Sequence, residues 1–479
     1  MTAKTEAGSQ AGSRTGSHVG SRTGVLAEYI AGAAARELPP AVRDRAALHL
    51  LDTVAAVVAG SALPAGRQAR RWYTAAFGAA EGSATAVGMP GGVPAFAAAT
   101  VNGMSAHAAE TDDSHAATLS HPGCAVLPAA LAAAEASGGS GQLLLRAFAA
   151  GYDVGGRVGR SARSADRGPV VGRWSSHAVV GTFAAAAAAG VASGLDATAS
   201  RFLLSYAAQL ASGVTTWVRD TGHVEKAFVF GGMPAGHGVL AASVAAAGCT
   251  GVADVFDGTP NWFEAVCADP DPAALTDGLG ERYEIMDTTL KYYAVGSPCQ
   301  APLAALGQLL AAGEVSADSL DSVDVILEPR GAAIVDNRAM PNVNLQYLIA
   351  ATLLDGGYSR RAAQDAGRMT DPRVRALMAR VRLVPDPALT GTKTATVRVT
   401  ADAGATRWER TVREVHGSPR DPLGLEEVTA KSLGLLTGVL PAAAAREIIA
   451  TILDIDSAPD LTKLTALLRS AANAGEQEK

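Results

Sequence analysis

Charge is scarce in this chain. Asp, Glu, Lys and Arg make up 18% of the 479 residues, against roughly 25% in an ordinary soluble domain. A surface with so little charge is expected to be partly covered by neighbours, which favours an oligomer. Lysine is scarcer still. Of 40 basic residues seven are lysine, and between residues 5 and 392 only Lys226 and Lys291 occur. Arginine is the default cation here, which singles out those two positions. Cysteine is sparse and scattered, at Cys124, Cys249, Cys267 and Cys299. With no CxxC pair, the pattern excludes a structural zinc ribbon, a clustered-cysteine iron–sulfur site and a disulfide scaffold. A cytoplasmic setting fits. The net charge is −6 and no long basic stripe occurs, so no nucleic-acid partner is expected. The first 24 residues are rich in Gly, Ser and Thr and lack the apolar core of a secretory signal. Residues 1–24 and 471–479 read as tails, the first of them disordered. The apolar run "TFAAAAAAGVASGL" is too short and too Ala-rich to span a bilayer, so no membrane is expected.

What the chain does have is apolar mass, 48% of it, enough for a large core and more than one domain. Residues 25–283 read as mainly helical. "PPAVRDRAALHLLDTVAAVVAG" opens on prolines, closes on Gly60 and carries an apolar stripe at helical spacing. Several later helices are rich in Ala and Gly, which suits the middle of a tight bundle. From residue 284 to about 413 the pattern mixes helices with strand-like alternation at 322–329, 380–386 and 394–402. Residues 414–470 turn helical again. The expected fold is mainly α with an α/β lid: a helical domain built from both chain ends, with an inserted α+β domain. A cleft between the two units is where a site is expected.

Four stretches carry candidate chemistry. "HAAETDDSHAATLSHPG" holds His107, Glu110, Asp112, Asp113, His115 and His121. Three readings stay open for it. Histidine and carboxylate ligands suit divalent ions, although the spacing fits no defined metal template. Asp112, Asp113 and Ser114 also suit a capping-rich loop. The third reading is acid/base or substrate-binding work, since histidine titrates near neutrality and a nearby carboxylate tunes it. His177 opens a small-residue helix in "GRWSSHAVVG", where the helix dipole disfavours its cation. In "GHVEKAFVFGGMPAGHG" Lys226 precedes glycines that form neither GxGxxG nor a Walker loop, so they imply helix packing and no nucleotide. In "LKYYAVGSPCQAPLAAL" Lys291 stands at the domain boundary, and Cys299 reads as a packed thiol.

Taken in order, these stretches resemble the MmgE/PrpD family, together with "LLDTVAAVVAG", "GYDVGGRVGR", "VNLQYLIAATLLDGG" and "DPRVRALMARVRLVPD". The resemblance runs from about residue 25 to 470. That family includes 2-methylcitrate dehydratases, cis-aconitate decarboxylases and iminodisuccinate epimerases. It implies a helical domain with an α/β lid, a homodimer, and lyase or isomerase chemistry without metal or other cofactor on a small carboxylate or acyl substrate. By similarity, His121, His177, Lys226 and Lys291 are the catalytic candidates. Glu110, Asp112, Ser114, Tyr293 and Gln300 are the substrate-binding ones, and His107 and His115 are structural. Glu110 stands where the family pattern has aspartate, Ala227 where a basic residue is common, and Gln300 where the family carries histidine. Fewer titrating groups imply a substrate with fewer carboxylates than 2-methylcitrate, and a specialised biosynthetic intermediate is expected. A dehydratase or decarboxylase is expected first, and an isomerase, epimerase or cyclase second. A metal-dependent or non-catalytic protein is the remaining alternative.

Overall fold

The structure is a computed structural model that describes residues 20–78, 81–164, 168–169, 174–317 and 319–471. Most of the expected N-terminal tail and nearly all of the C-terminal one lie outside the described residues. Ser21 caps the helix Arg22–Ala33 by accepting from the Gly24 amide at 3.1 Å, so residues 22–24 belong to that helix.

Two hydrophobic cores organise the chain. The larger gathers residues from Leu26 to Leu290 and again from Leu423 to Ala471. The smaller runs from Val295 to Val415. The chain crosses between them twice, side by side, where the Leu290 amide donates to the Gly417 carbonyl at 3.0 Å. The protein is mainly α with a small α+β part.

At the centre of the first core lies the helix Ser176–Ala192, whose residues from Ala178 to Ala192 are all buried. Its run of six alanines leaves no side-chain bulk, so the helices Gly141–Ser161 and Met233–Ala246 lie close against it. Among the described residues one continuous helical run, Val224–Ala246, is long and apolar enough to cross a membrane, but most of it is buried inside this bundle. Its Phe228–Gly232 turn is π-helical. That turn crosses the helix Ala95–His107 at Gly103 and Gly231, where a methyl group on either glycine would collide with the other's carbonyl.

The second core is built on a four-stranded sheet in the order Thr406–Val412, Ala395–Ala401, Leu320–Leu327, Val381–Pro385. The first three strands are antiparallel, with Trp408 opposite Val399, and the last pair is parallel. The edge strand "TRWERTV" carries two arginines and a glutamate and shows no apolar run, so only three of the four strands were legible in the sequence. Charge on an edge strand is a common device against edge-to-edge pairing.

Overpacking a close backbone crossing costs about 1–3 kcal/mol or more. Gly231→Ala is therefore expected to lower the unfolding free energy by at least that amount, measured by urea denaturation. An unchanged midpoint would contradict the crossing.

Candidate active site

The helix Ala95–His107 ends on the histidine that opens the busiest stretch of the sequence. Three residues on, Glu110 adopts φ +57, a region few non-glycine residues occupy. Such a backbone persists when its surroundings over-determine it, and here both domains do. The Glu110 carbonyl accepts from Lys291 Nζ at 2.8 Å. The neighbouring Ala109 carbonyl accepts from Asn342 Nδ2 at 3.3 Å and Gln364 Nε2 at 3.2 Å, both from the α/β domain. Lys431, from the C-terminal helix Leu425–Leu436, donates to the Thr111 carbonyl at 3.0 Å and pairs with buried Asp52 at 2.6 Å.

The side chains that follow converge. Glu110 Oε1 contacts Lys226 Nζ directly and stands 3.6 Å from both His107 Nε2 and His223 Nε2. Its Oε2 is 3.6 Å from Lys291 Nζ. Asp112 receives His107 Nδ1 at 2.9 Å on Oδ2, with His121 Nδ1 3.6 Å away and Lys291 Nζ 3.5 Å from Oδ1. All seven residues are buried. The adjacent Asp113 faces the other way. It accepts from the Gly123 amide at 3.0 Å and from the Tyr152 hydroxyl, and it lies 3.3 Å from His49 Nδ1. One aspartate serves the cluster and the next ties the loop to the core.

The electrostatics follow from this geometry. Burial alone would raise the Glu110 pKa, but Lys226, then His107, Lys291 and His223, hold the carboxyl well below its usual range. Burial opposes ionisation of Asp112 too, and His107, Lys291 and His121 overcome it. The histidines go the opposite way. Burial and the Lys291 charge bring His121 down to about 3, against the pull of Asp112. Burial and Lys226 bring His223 to about 3. His177 is pushed well below 6.5 by burial, then by His121, His107, Lys226 and Arg330 of the α/β domain. His121 donates Nδ1–H to the Asp113 carbonyl, which leaves Nε2 as its free lone pair.

One wall is aromatic. Phe230, set by the π-helical turn, stacks on His177 with ring centres 3.6 Å apart and on His107 at 4.2 Å. His121 stacks on His177 at 5.1 Å. Trp217 meets Phe230 and His177 edge-on at 4.6 and 5.6 Å. Lys226 Nζ lies 5.1 Å from the Phe230 ring centre and 5.5 Å from that of Trp217.

Of the residues singled out in the sequence, the structure brings Glu110, Asp112, His121, His177, Lys226 and Lys291 together. Ser114 lies beside them, with its backbone paired to Thr289. Tyr293 and Gln300 are not brought in. The Gln300 amide is spent on main chain, donating to the Tyr293 and Val295 carbonyls at 2.8 and 3.2 Å while its oxygen accepts the Tyr293 amide. It stiffens the loop that carries Lys291. Tyr293 lines an open depression with Tyr292, Gln308 and His416, apart from the cluster. His115 is held by Thr118 at 2.8 Å and Glu284 at 3.0 Å, a structural pairing. His107, expected to be structural as well, lies between both carboxylates of the cluster. His223, Trp217 and Phe230 were not singled out. Only the i, i+3 spacing of His223 and Lys226 hinted that one turn presents both.

Among the described residues two donor sets have ion-like spacing, His107–Glu110–His223 and His107–Asp112–Cys124. In the first, His223 Nε2 donates to the His107 carbonyl at 3.1 Å and an ammonium occupies Glu110 Oε1. A divalent ion there would displace one bond and face two lysines. These donors fit a proton and charge network better than a metal centre.

A helical domain made from both chain ends, an inserted α+β domain, and buried carboxylates, lysines and histidines beside the crossing define a two-domain MmgE/PrpD-type protein. The chain belongs to the MmgE/PrpD family. The N-terminal domain model matches residues 24–275 and the C-terminal domain model residues 293–456. It is 29% identical over 401 residues to human cis-aconitate decarboxylase, covering 79% of this chain and 80% of that one. The Mus musculus protein of the same name is 27% identical over 406 residues, 81% of each. A cis-aconitate decarboxylase-like protein, oryM, of Aspergillus oryzae is 29% identical over 301 residues. That match covers 59% of this chain and spans 60% of the fungal protein's length.

Two predictions follow from the electrostatics. Glu110→Ala strands two ammonium groups in a dry cluster and is expected to cost about 3–5 kcal/mol of stability, read by denaturant unfolding. Glu110→Asp, which keeps the charge, should cost clearly less. The second concerns pH. His121 and His223 near 3 and His49 near 4 bind protons in the unfolded chain at about 6.5 but not in the fold. Their contribution is intact above pH 6.5 and is lost as pH falls toward 3. With His177, which is depressed as well, unfolding at pH 5 should take up at least three protons, a slope of ~4 kcal/mol per pH unit or more. A slope of one proton or less would sink this account.

Proposed function

We propose that the chain is a lyase of decarboxylase or dehydratase type that works on a small carboxylate or acyl substrate with its own acidic and basic side chains. The observation that carries this reading is the buried Glu110–Lys226–Lys291 set beside two stacked, neutral histidines, His121 and His177. The relatives' names add the reaction type.

In a decarboxylation, the bond to the departing carboxylate breaks and carbon dioxide leaves. The electron pair moves into the conjugated remainder of the substrate and onto its oxygens, where Lys226 and Lys291 stabilise the charge. A lysine ammonium then returns a proton to carbon. In a dehydration, His121 Nε2 takes the proton next to the acyl carbon, the carbon–oxygen bond breaks, and the hydroxyl leaves as water after protonation. Both routes need a cation where charge develops, and the dehydration also needs a neutral base beside it. Glu110 and Asp112 pair with the lysines, and Asp112 orients His107. A second reading, isomerase chemistry, is favoured by the same His121–His177 stack, since relocating a proton needs a base and nothing that departs. Assembly as a homodimer in the cytoplasm belongs to this proposal and rests on family membership and on the low charge content.

The substrate is expected to differ from 2-methylcitrate, because Gln300 is committed to main chain where the family pattern carries a histidine. Purified protein should be offered cis-aconitate, citrate and 2-methylcitrate and followed by proton NMR. Loss of carbon dioxide or water from a small carboxylate other than 2-methylcitrate is expected. Lys226→Met should then lower kcat by roughly 10²–10³, the usual effect of removing a group that stabilises developing charge. Rearrangement with nothing lost would favour the isomerase. Full turnover by Lys226→Met, or 2-methylcitrate as the best substrate, would refute the assignment.

A further inference from the structure

Trp217 lies outside every motif that carries the family resemblance, yet its indole is 6% exposed and stands in the aromatic wall. Its Nε1–H has no hydrogen-bond partner among the described residues, and neither has His177 Nδ1 in the ring against which it packs. Buried donors in native proteins are nearly always satisfied. Two orphans in adjoining rings therefore mark a place where a further group supplies the partner. The indole only donates and a neutral imidazole does either, while Lys226 Nζ stands over the Trp217 and Phe230 rings. That set recognises oxygen bearing negative charge.

We propose that Trp217 Nε1 and His177 Nδ1 form a subsite for one carboxylate or acyl oxygen of the substrate. The proposal rests on the carboxylate reading above and adds the residue that holds one of those oxygens. The indole is held in place from the other domain. Arg338 donates to the Val218 carbonyl at 2.6 Å and the Asp220 carbonyl at 3.3 Å, and Asp220 in turn accepts the Lys226 amide at 3.0 Å. Seating of the α+β domain thus fixes the indole and the lysine as one unit.

The test labels the five tryptophans with ¹⁵N at the indole, assigns Trp217 by Trp217→Phe, and titrates the full chain with cis-aconitate and with saturated tricarballylate. Binding is followed independently by histidine proton resonances. The Trp217 N–H signal is expected to move downfield with whichever of the two acids the histidine resonances report as bound. Trp217→Phe should weaken cis-aconitate about tenfold or more, the effect of losing one hydrogen bond to a charged group. The shift in the wild-type protein decides the matter even where the variant fails to fold. Binding with the Trp217 signal unmoved overturns the subsite alone. Binding of neither probe to the wild-type protein overturns the carboxylate reading and the subsite with it.

Discussion

Two lysine ammonium groups in a dry interior are the costliest feature of this molecule. Removing an ion from water costs several kcal/mol even after relaxation, and Lys291 is 1% exposed and Lys226 8%. They are tolerated because Glu110 comes with them, its two oxygens divided between the two ammonium groups, and because Asp112 takes a further share of Lys291. Two carboxylates against two ammonium groups leave the cluster formally neutral. The rest follows from that pairing. The turn at Glu110 is strained because the carboxylate must reach both lysines, and main-chain carbonyls on either side of it are gripped from distant parts of the chain. Burial first, and then the neighbouring lysine charges, hold His121, His177 and His223 neutral.

The grip explains why one fold needs both chain ends and an insert. Ala109 is held from the α+β domain by Asn342 and Gln364. Thr111 is held from the C-terminal helix by Lys431, and the Trp217–Lys226 segment from the α+β domain by Arg338. In each case a long side chain donates to a carbonyl oxygen, which fixes backbone and leaves the functional side chain free. Gln300 does the same for the Lys291 loop. A residue that reads as a lost proton carrier turns out to be a brace, and the open question it raised about activity moves to the residues that remain.

Much of this was legible in the sequence, for particular reasons. Lys226 and Lys291 stood out because arginine is the habit of the chain, and the order of the motifs placed His121, His177 and Glu110 beside them. The Ala-rich helices announced a tight bundle. The misses have physical causes as well. The strand Thr406–Val412 is an edge, and its charge hides the alternation. His107 looked structural because it ends an apolar helix, and only the left-handed turn at Glu110 folds the carboxylates back onto it. His223 and Trp217 sit in irregular segments, where no periodicity says which way a side chain points. Tyr293 and Gln300 were assigned by similarity, but the backbone turns after Lys291 and carries them to the outer depression.

A site that is electrically neutral, with bases whose pKa values lie near 3, looks poorly armed for proton transfer at neutral pH. Under the proposed function, the arriving substrate changes that. A carboxylate placed against Lys226 adds a negative charge near His177, and a close anion stabilises an imidazolium by about one to three in pKa. It also draws on the Lys226 charge that helps to depress His177. Basicity then rises only when substrate is bound and water is displaced from the aromatic wall. Glu110 governs the size of this effect, because it competes with the incoming anion for both ammonium groups. Its extra methylene, relative to the family's aspartate, lets one carboxylate span both lysines, so the incoming anion must share them with it.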